Sequence, residues 1–404
     1  MATILIGTEV PEGMGHVAPW LDFCNLAIEQ GHTVHMAGPD LLVLQRCISS
    51  RVGVNIWAAP RVNPVRTHVS VRSWPELLVS LGYAQPEWLT GAVLSWANIL
   101  DAVQPEVVLT DYAPALMGAC QALGIQYVEV GGGFCVPPVN HDGSMPPFPG
   151  ILSDDPAAVS GSRAALDQLS QALTQATRAL GPSKVSRDRQ DWAALHHHAT
   201  RRLVTSPALL DHYDERDQRI APVEHVGFMG LSTLPPHIFK TPLKDPLVLP
   251  TQEQVPKLTR FVGYLKPNTP RLREIVQSLE TTGWPAQIYC PSGVITSSAS
   301  VKVTQSPLEL KDLLNENTVF LSNGGLASVG IALHLGATVL VAPQQAEQIA
   351  LVRRLVKSGW GRAFTPWALQ KELMPSRMRS IASLLKLNAM HAEDLISESI
   401  LQPQ

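Results

Sequence analysis

Short apolar runs and segments with helically spaced apolar residues take turns along most of the chain. Residues 3–6, Thr-Ile-Leu-Ile, form the first run and read as a buried strand. After a loop over residues 9–16, Trp20, Phe23, Cys24 and Ala27 fall at the i, i+3, i+4, i+7 spacing of one helix face, and Gly31 supplies the stop. Strands are expected at 33–37, 55–58 and 107–110, the last running straight into Asp111. A helix follows from about residue 113 to Leu123, where Gly124 breaks it, and a strand at 126–130 ends in the triple glycine 131–133. Strands separated by helix-length segments are the mark of a parallel sheet with helices packed on both faces.

Residues 136–200 break this rhythm. Pro137, Pro138, Pro146, Pro147 and Pro149 are followed by helix-forming Ala, Leu, Gln and Arg, which predicts a loop-and-helix insertion that shapes a pocket rather than extending the sheet. Strand character returns at 203–206 and 224–227. Six prolines between 228 and 256 (Pro235, Pro236, Pro242, Pro246, Pro250 and Pro256) then mark a linker. Beyond it the first pattern restarts, with strands at 260–264, 286–289, 301–304, 318–321 and 338–342 and a helix over 271–282. Gly324 and Gly325 open a further helix whose apolar face is Leu326, Val329 and Leu333. The expected fold is therefore α/β, with two doubly wound Rossmann-like domains, 1–227 and 257–404, facing each other across a cleft. In such sheets ligands lie beyond the carboxyl ends of the strands, which makes the cleft the natural site.

Composition narrows the classes. Of 404 residues only 16% are charged and 45% are apolar, so much of the chain is expected in packed layers rather than in disordered segments. The formal charge of −3 gives no reason to expect nucleic acid or an anionic membrane as partner. No stretch approaches the roughly 18 to 20 uninterrupted apolar residues of a spanning helix, and residues 1–7 read as a strand rather than a signal peptide. Five cysteines (Cys24, Cys47, Cys120, Cys135 and Cys290) are far apart and never in a C-x-x-C pair, which argues against a disulfide framework or zinc and fits a reducing cytoplasm. His196, His197 and His198 lack a carboxylate or cysteine at ligand spacing. Neither a G-x-S-x-G elbow nor a G-x-x-x-x-G-K-[ST] loop occurs.

The candidate chemistry lies in three segments. Gly13-Met14-Gly15-His16-Val17-Ala18-Pro19 follows the first strand, and an imidazole there suits proton abstraction near neutral pH. Asp111 ends a strand of the same half; it either pairs with a base or caps the next helix, two roles that can coexist. The third segment is Ser322-Asn323-Gly324-Gly325-Leu326-Ala327-Ser328, followed by a strand and Pro343-Gln344-Gln345-Ala346-Glu347-Gln348. Backbone N–H groups at a helix start, freed by glycines, make an anion site without a metal.

Together these segments resemble the metal-independent glycosyltransferases of the two-Rossmann-domain type, the UDP-glycosyltransferase family, over nearly the whole chain. The resemblance implies that His16 is the general base and that Asp111 pairs with it. It also implies that Asn323, Gly324, Gly325 and Ser328 hold the diphosphate of a nucleotide sugar, and that Glu347 and Gln348 hold sugar hydroxyls. Gly263, in Phe261-Val262-Gly263-Tyr264-Leu265-Lys266-Pro267, occupies the place of the family's first donor-domain loop, where Lys266 can add charge. Two features depart from the family. Asn323 stands where a histidine is common, so a neutral hydrogen bond replaces a charged one, and restoring His is expected to tighten diphosphate binding. The usual aromatic that stacks on the base is not recognisable around residues 303–307.

The implied activity is inverting transfer of a sugar from a UDP- or dTDP-sugar to a hydroxyl of a small apolar acceptor, without cofactor or metal, by a cytoplasmic monomer or homodimer. Trp74, Trp88, Phe134 and Phe148 are the expected acceptor walls. Two other readings share the architecture: a catalytically silent relative acting as partner or activator of another enzyme, and a sugar-nucleotide epimerase.

Overall fold

The computed structural model describes residues 1–9, 15–48, 53–62, 64, 71–151, 155–181, 191–213, 216, 222–230, 259–291 and 297–364. They belong to two compact units. One comprises Met1–Ser206 and Asp211–Gly230, and the other Pro207–Leu210 with the described part of Leu231–Met390. The expected linker lies outside the described residues from 231 on, as do Gly13 and Met14.

In the first unit the order is β1 (Thr3–Thr8), α1 (Trp20–Glu29), β2 (Thr33–Gly38), α2 (Leu41–Ile48), β3 (Val54–Ala58), α3 (Trp74–Ser80), α4 (Pro86–Val103) and β4 (Val107–Asp111). Then come α5 (Pro114–Leu123), β5 (Val128–Gly131), α6 (Pro156–Arg178), α7 (Trp192–His198), β6 (Arg201–Val204) and β7 (Glu224–His225). The strands form one parallel sheet in the order β3-β2-β1-β4-β5-β6-β7. Alternation along β1 divides its two faces. Ile4 and Ile6 pack with Trp20, Phe23 and Ala27 of α1 and Leu44 of α2. On the other face Gly7 lets α4 and α5 come close, since a Cβ there would lie 2.4 Å from Leu116 Cδ2 and 3.0 Å from Trp96 Cη2. Residues 136–200 contribute no strand to the sheet among those described; α6 packs on α3 and α4 instead.

The second unit runs β8 (Arg260–Tyr264), α8 (Leu272–Thr281), β9 (Ala286–Tyr289), β10 (Val301–Thr304), α9 (Leu310–Leu313), β11 (Thr318–Ser322), α10 (Leu326–His334), β12 (Thr338–Val341), α11 (Ala346–Ser358) and β13 (Gly361–Ala363). Its parallel sheet has the order β10-β9-β8-β11-β12-β13 around a core of Phe261, Ile275, Leu279, Ile288, Val319 and Leu321. Both sheets reverse their winding once, between β1 and β4 and between β8 and β11. Loops leaving the carboxyl ends of strands at such a reversal diverge and leave room for a ligand. No helix among the described residues is long and apolar enough to cross a membrane.

Candidate active site

At the reversal of the first sheet Thr8 pairs with Asp111, so the loop after β1 and the turn after β4 start side by side. Asp111 Oδ1 lies 3.0 Å from His16 Nδ1, and Oδ2 accepts the Trp20 indole N–H at 2.8 Å. An ionised carboxylate only accepts, so Nδ1 carries the hydrogen and the imidazole's lone pair sits on Nε2. Trp20 opens α1 and is 1% exposed, so the carboxylate is braced from a rigid element while the His16 side chain keeps 24% of its surface open. Asp111 does not cap α5: the N-cap is Ala113, without a side-chain bond. The residue after Asp111, Tyr112, takes a left-handed φ of 50°, and its ring lies 6.0 Å from His16.

Beneath this pair lies a carboxylate whose role the loop motif does not reveal. Glu9 continues the face of β1 that holds Leu5 and Gly7, and it is wholly buried. Its Oε1 accepts from Trp96 Nε1 (2.7 Å) and Leu116 N (2.9 Å), and its Oε2 from the Tyr83 hydroxyl (2.6 Å) and Ala115 N (3.2 Å). Burial pushes the carboxyl up to about 7, while these four bonds pull the other way. Its sequence signal is an acidic residue in phase with the buried face of a strand.

Three of the expected acceptor residues come together. Trp74 lies 4.9 Å from Tyr112 and edge-on to Phe134 at 5.6 Å, and Phe134 stacks on Phe148 at 4.9 Å. The Trp74 indole N–H is buried with no hydrogen-bond partner among the described residues. Trp88 is elsewhere, against Tyr83 and bonded to the Arg61 carbonyl. The triple glycine is structural at Gly133, where a Cβ would lie 2.2 Å from Asp211 Oδ1. Asp211 is held by Arg216 and His225. His196 bonds Glu129, which also receives Arg202. Among the described residues no group of three metal-ligating side chains occurs.

In the second unit Asn323 follows β11, and its amide is fully engaged. Nδ2 donates to the Ala342 carbonyl (2.9 Å) and Thr269 Oγ1 (3.1 Å), while Oδ1 accepts from Lys266 N (2.8 Å). Thr269 also accepts from Gln344 Nε2 at 2.9 Å, and Gln348 Oε1 accepts from Gln344 N at 2.7 Å. Asn323 is therefore a strut that ties the ends of β8, β11 and β12 together, while Gln348 holds the loop after β12 to the start of α11. Gly324 has φ +91°, and a Cβ there would lie 2.7 Å from Val341 Cγ1. Gly325 is exposed and N-caps α10 without a side-chain bond; Ser328 Oγ donates back to its carbonyl at 3.0 Å. The first N–H groups of α10 thus emerge behind two glycines. Glu347 lies at the start of α11, near Gln345. Gly263 sits inside β8, where a Cβ would lie 2.4 Å from Ile288 Cδ1, so its lack of a side chain serves the sheet.

No protein-family model matches the sequence, and no curated protein matches it. Solved structures do resemble the fold. A crystal structure of the glycotransferase of kitacinnamycin has a TM-score of 0.63 at 18% identity, with 99% of each chain covered. The glycosyltransferase SsfS6 of Streptomyces sp. SF2575, complexed with thymidine diphosphate, has a TM-score of 0.62 at 15% identity, again with 99% of each chain covered. The spinosyn rhamnosyltransferase SpnG, complexed with spinosyn aglycone, reaches 0.59 at 16% identity over 99% of each chain. Two parallel, doubly wound α/β units in one chain, matched end to end by these structures, give this protein the GT-B fold of glycosyltransferases.

Proposed function

We infer that the protein is an inverting glycosyltransferase that moves a sugar from a nucleoside diphosphate sugar to a hydroxyl of a small, largely apolar acceptor. The observation that carries this reading is the His16–Asp111 pair at the winding reversal of the first sheet. His16 Nε2 takes the acceptor's hydroxyl proton as its oxygen attacks the anomeric carbon; the bond from that carbon to the diphosphate oxygen breaks, and the pair of electrons leaves with the phosphate. Asp111 holds the Nδ1 tautomer and stabilises the imidazolium that forms.

The leaving charge falls to the second unit. The N–H groups at the start of α10, with Gly324, Gly325 and Ser328 around them, make an anion site for the diphosphate. Lys266 is exposed on the loop tied to Asn323 and adds positive charge. Asn323 serves this site by fixing its loops, and Glu347 with Gln348 is assigned to the sugar hydroxyls. No step requires a metal. Trp74, Tyr112, Phe134 and Phe148 suit a flat apolar acceptor, with the Trp74 N–H available for one polar atom. By analogy with the complexes of SsfS6 and SpnG, the donor is a thymidine diphosphate sugar and the acceptor an aglycone, met in the cytoplasm.

The test is acceptor-dependent release of nucleoside diphosphate from dTDP- and UDP-sugars in the presence of a panel of phenolic and alcoholic aglycones. Thermal unfolding is followed in parallel, since a ligand at 100 times its Kd adds about 2.7 kcal/mol. Release that needs both substrates is expected. If no nucleotide protects and no acceptor draws release, the protein is a silent relative of the fold.

A further inference from the structure

Glu9 has no part in the reaction just described, yet it touches the structural roots of both residues that do. It is the last described residue before the loop that carries His16, and its N–H points to the Tyr112 carbonyl at 3.4 Å, one residue beyond Asp111. Its two oxygens take the N–H groups of Ala115 and Leu116, the second and third residues of α5. Those groups have no local acceptor, because Ala113 stands at the N-cap with no side chain able to serve. Glu9 therefore caps α5 from more than a hundred residues away. Between Asp111 and α5 lie only Tyr112 and Ala113, and Tyr112 is in the left-handed region that non-glycine residues adopt only when their surroundings fix them. The bonds from Trp96 and Tyr83 hold the Glu9 carboxylate still, and Gly7 opens the space through which α4 and α5 reach it.

We propose that Glu9 is the positioning residue of the His16–Asp111 pair: by clamping the start of α5 to the end of β1, it sets the turn from which Asp111 reaches back to His16. This rests on the catalytic reading above. Of the groups that contact the Glu9 carboxylate, Tyr83 alone titrates; Asp111 and Tyr112 face His16, and Trp20 bonds Asp111.

Glu9→Gln is the discriminating substitution. The amide keeps one acceptor oxygen, and in either orientation its NH2 meets at least one obligate donor, Ala115 N–H on one side or the N–H groups of Trp96 and Leu116 on the other. A clamp that acts through Asp111 is expected to lower kcat about tenfold with the donor KM unchanged, and to add less than twofold in an Asp111→Asn background. The His16 imidazole titration, followed by NMR on the ligand-free protein and assigned with His16→Ala, is expected to move in the same direction as in Asp111→Asn, toward lower pH as the carboxylate loosens. Glu9→Gln that leaves the His16 titration in place, or lowers kcat by the same factor with and without Asp111, overturns the proposal. Should Glu9→Gln fail to fold, Tyr83→Phe removes one bond to the same carboxylate; a His16 titration unchanged in that variant overturns the proposal as well. The NMR arm needs no substrate, so a failure of the transferase reading shows itself separately, as absence of turnover in the wild-type protein.

Discussion

Asn323 is the position at which likeness to a family and the geometry of this chain give opposite expectations. Family resemblance favours Asn323→His as a gain of a charged phosphate contact. In the structure the amide spans three loop ends, donating to Ala342 O and Thr269 Oγ1 and accepting from Lys266 N. A neutral imidazole offers one donor and one acceptor, so at least one of these bonds is lost, and a buried group left without its partner costs about 1–3 kcal/mol. Asn323 is only 5% exposed, so the larger ring also has to be forced in, at about 1–3 kcal/mol. The substitution is therefore expected to cost about 2–6 kcal/mol, a large share of the roughly 5–15 kcal/mol that keeps a domain folded. Guanidinium unfolding of the two proteins reads this directly: the midpoint of the second unit's transition falls while its slope stays the same. Calorimetry with dTDP is expected to show no gain in affinity. A variant that is as stable as the wild type and binds dTDP tenfold more tightly would refute the assignment of Asn323 as a strut.

Gly324→Val places a branched Cβ against Val341 at a left-handed φ; nucleoside diphosphate binding is expected to vanish, and calorimetry on the folded fraction checks it. Burial would raise Glu129, but Arg202 and His196 bring it down to about 2. A depressed carboxylate stabilises fully above its ordinary value, so about 3 kcal/mol is lost as pH falls from about 4.5 toward 2. Glu129→Gln should flatten that acid limb in thermal unfolding. Glu9, raised to about 7, has the opposite sign: its contribution is complete below about 4.5 and is lost as pH climbs through 7, so thermal stability should fall between about pH 5 and 8 in the wild type and not in Glu9→Gln. Activity should survive a strong chelator; activity lost with chelator and restored by Mg²⁺ or Mn²⁺ would contradict a metal-free diphosphate site.

Much of the fold is legible in the pattern of apolar residues, because each strand of a covered parallel sheet is an apolar run and each helix an amphipathic stripe. The alternation from β1 to β5 and from β8 to β12 follows this rule. α4 is not among the expected elements, although its buried Leu89, Ala92, Val93, Trp96, Ile99, Leu100 and Val103 fall at helical spacing. Asp111 is legible as a candidate because it ends β4 and His16 because its loop follows β1, but their 3.0 Å contact is not, since it depends on strand order. What pattern does not show is contact with partners far away in sequence. Gly263 reads as a donor-site glycine, and in the sheet it makes room for Ile288. Asn323 reads as a phosphate donor, and its bonds to Lys266, Thr269 and Ala342 join three loops. Glu9 reads as the first residue of a loop, and only the approach of Tyr83, α4 and α5 supplies the four donors that hold its carboxylate.

The central claim is that His16 removes the acceptor proton, and steady-state kinetics of His16→Ala with both substrates varied tests it most directly. General-base catalysis contributes about 10² to 10⁴, so kcat should fall at least about a hundredfold while the donor KM stays within about twofold. An unchanged kcat in a folded His16→Ala protein would contradict the account.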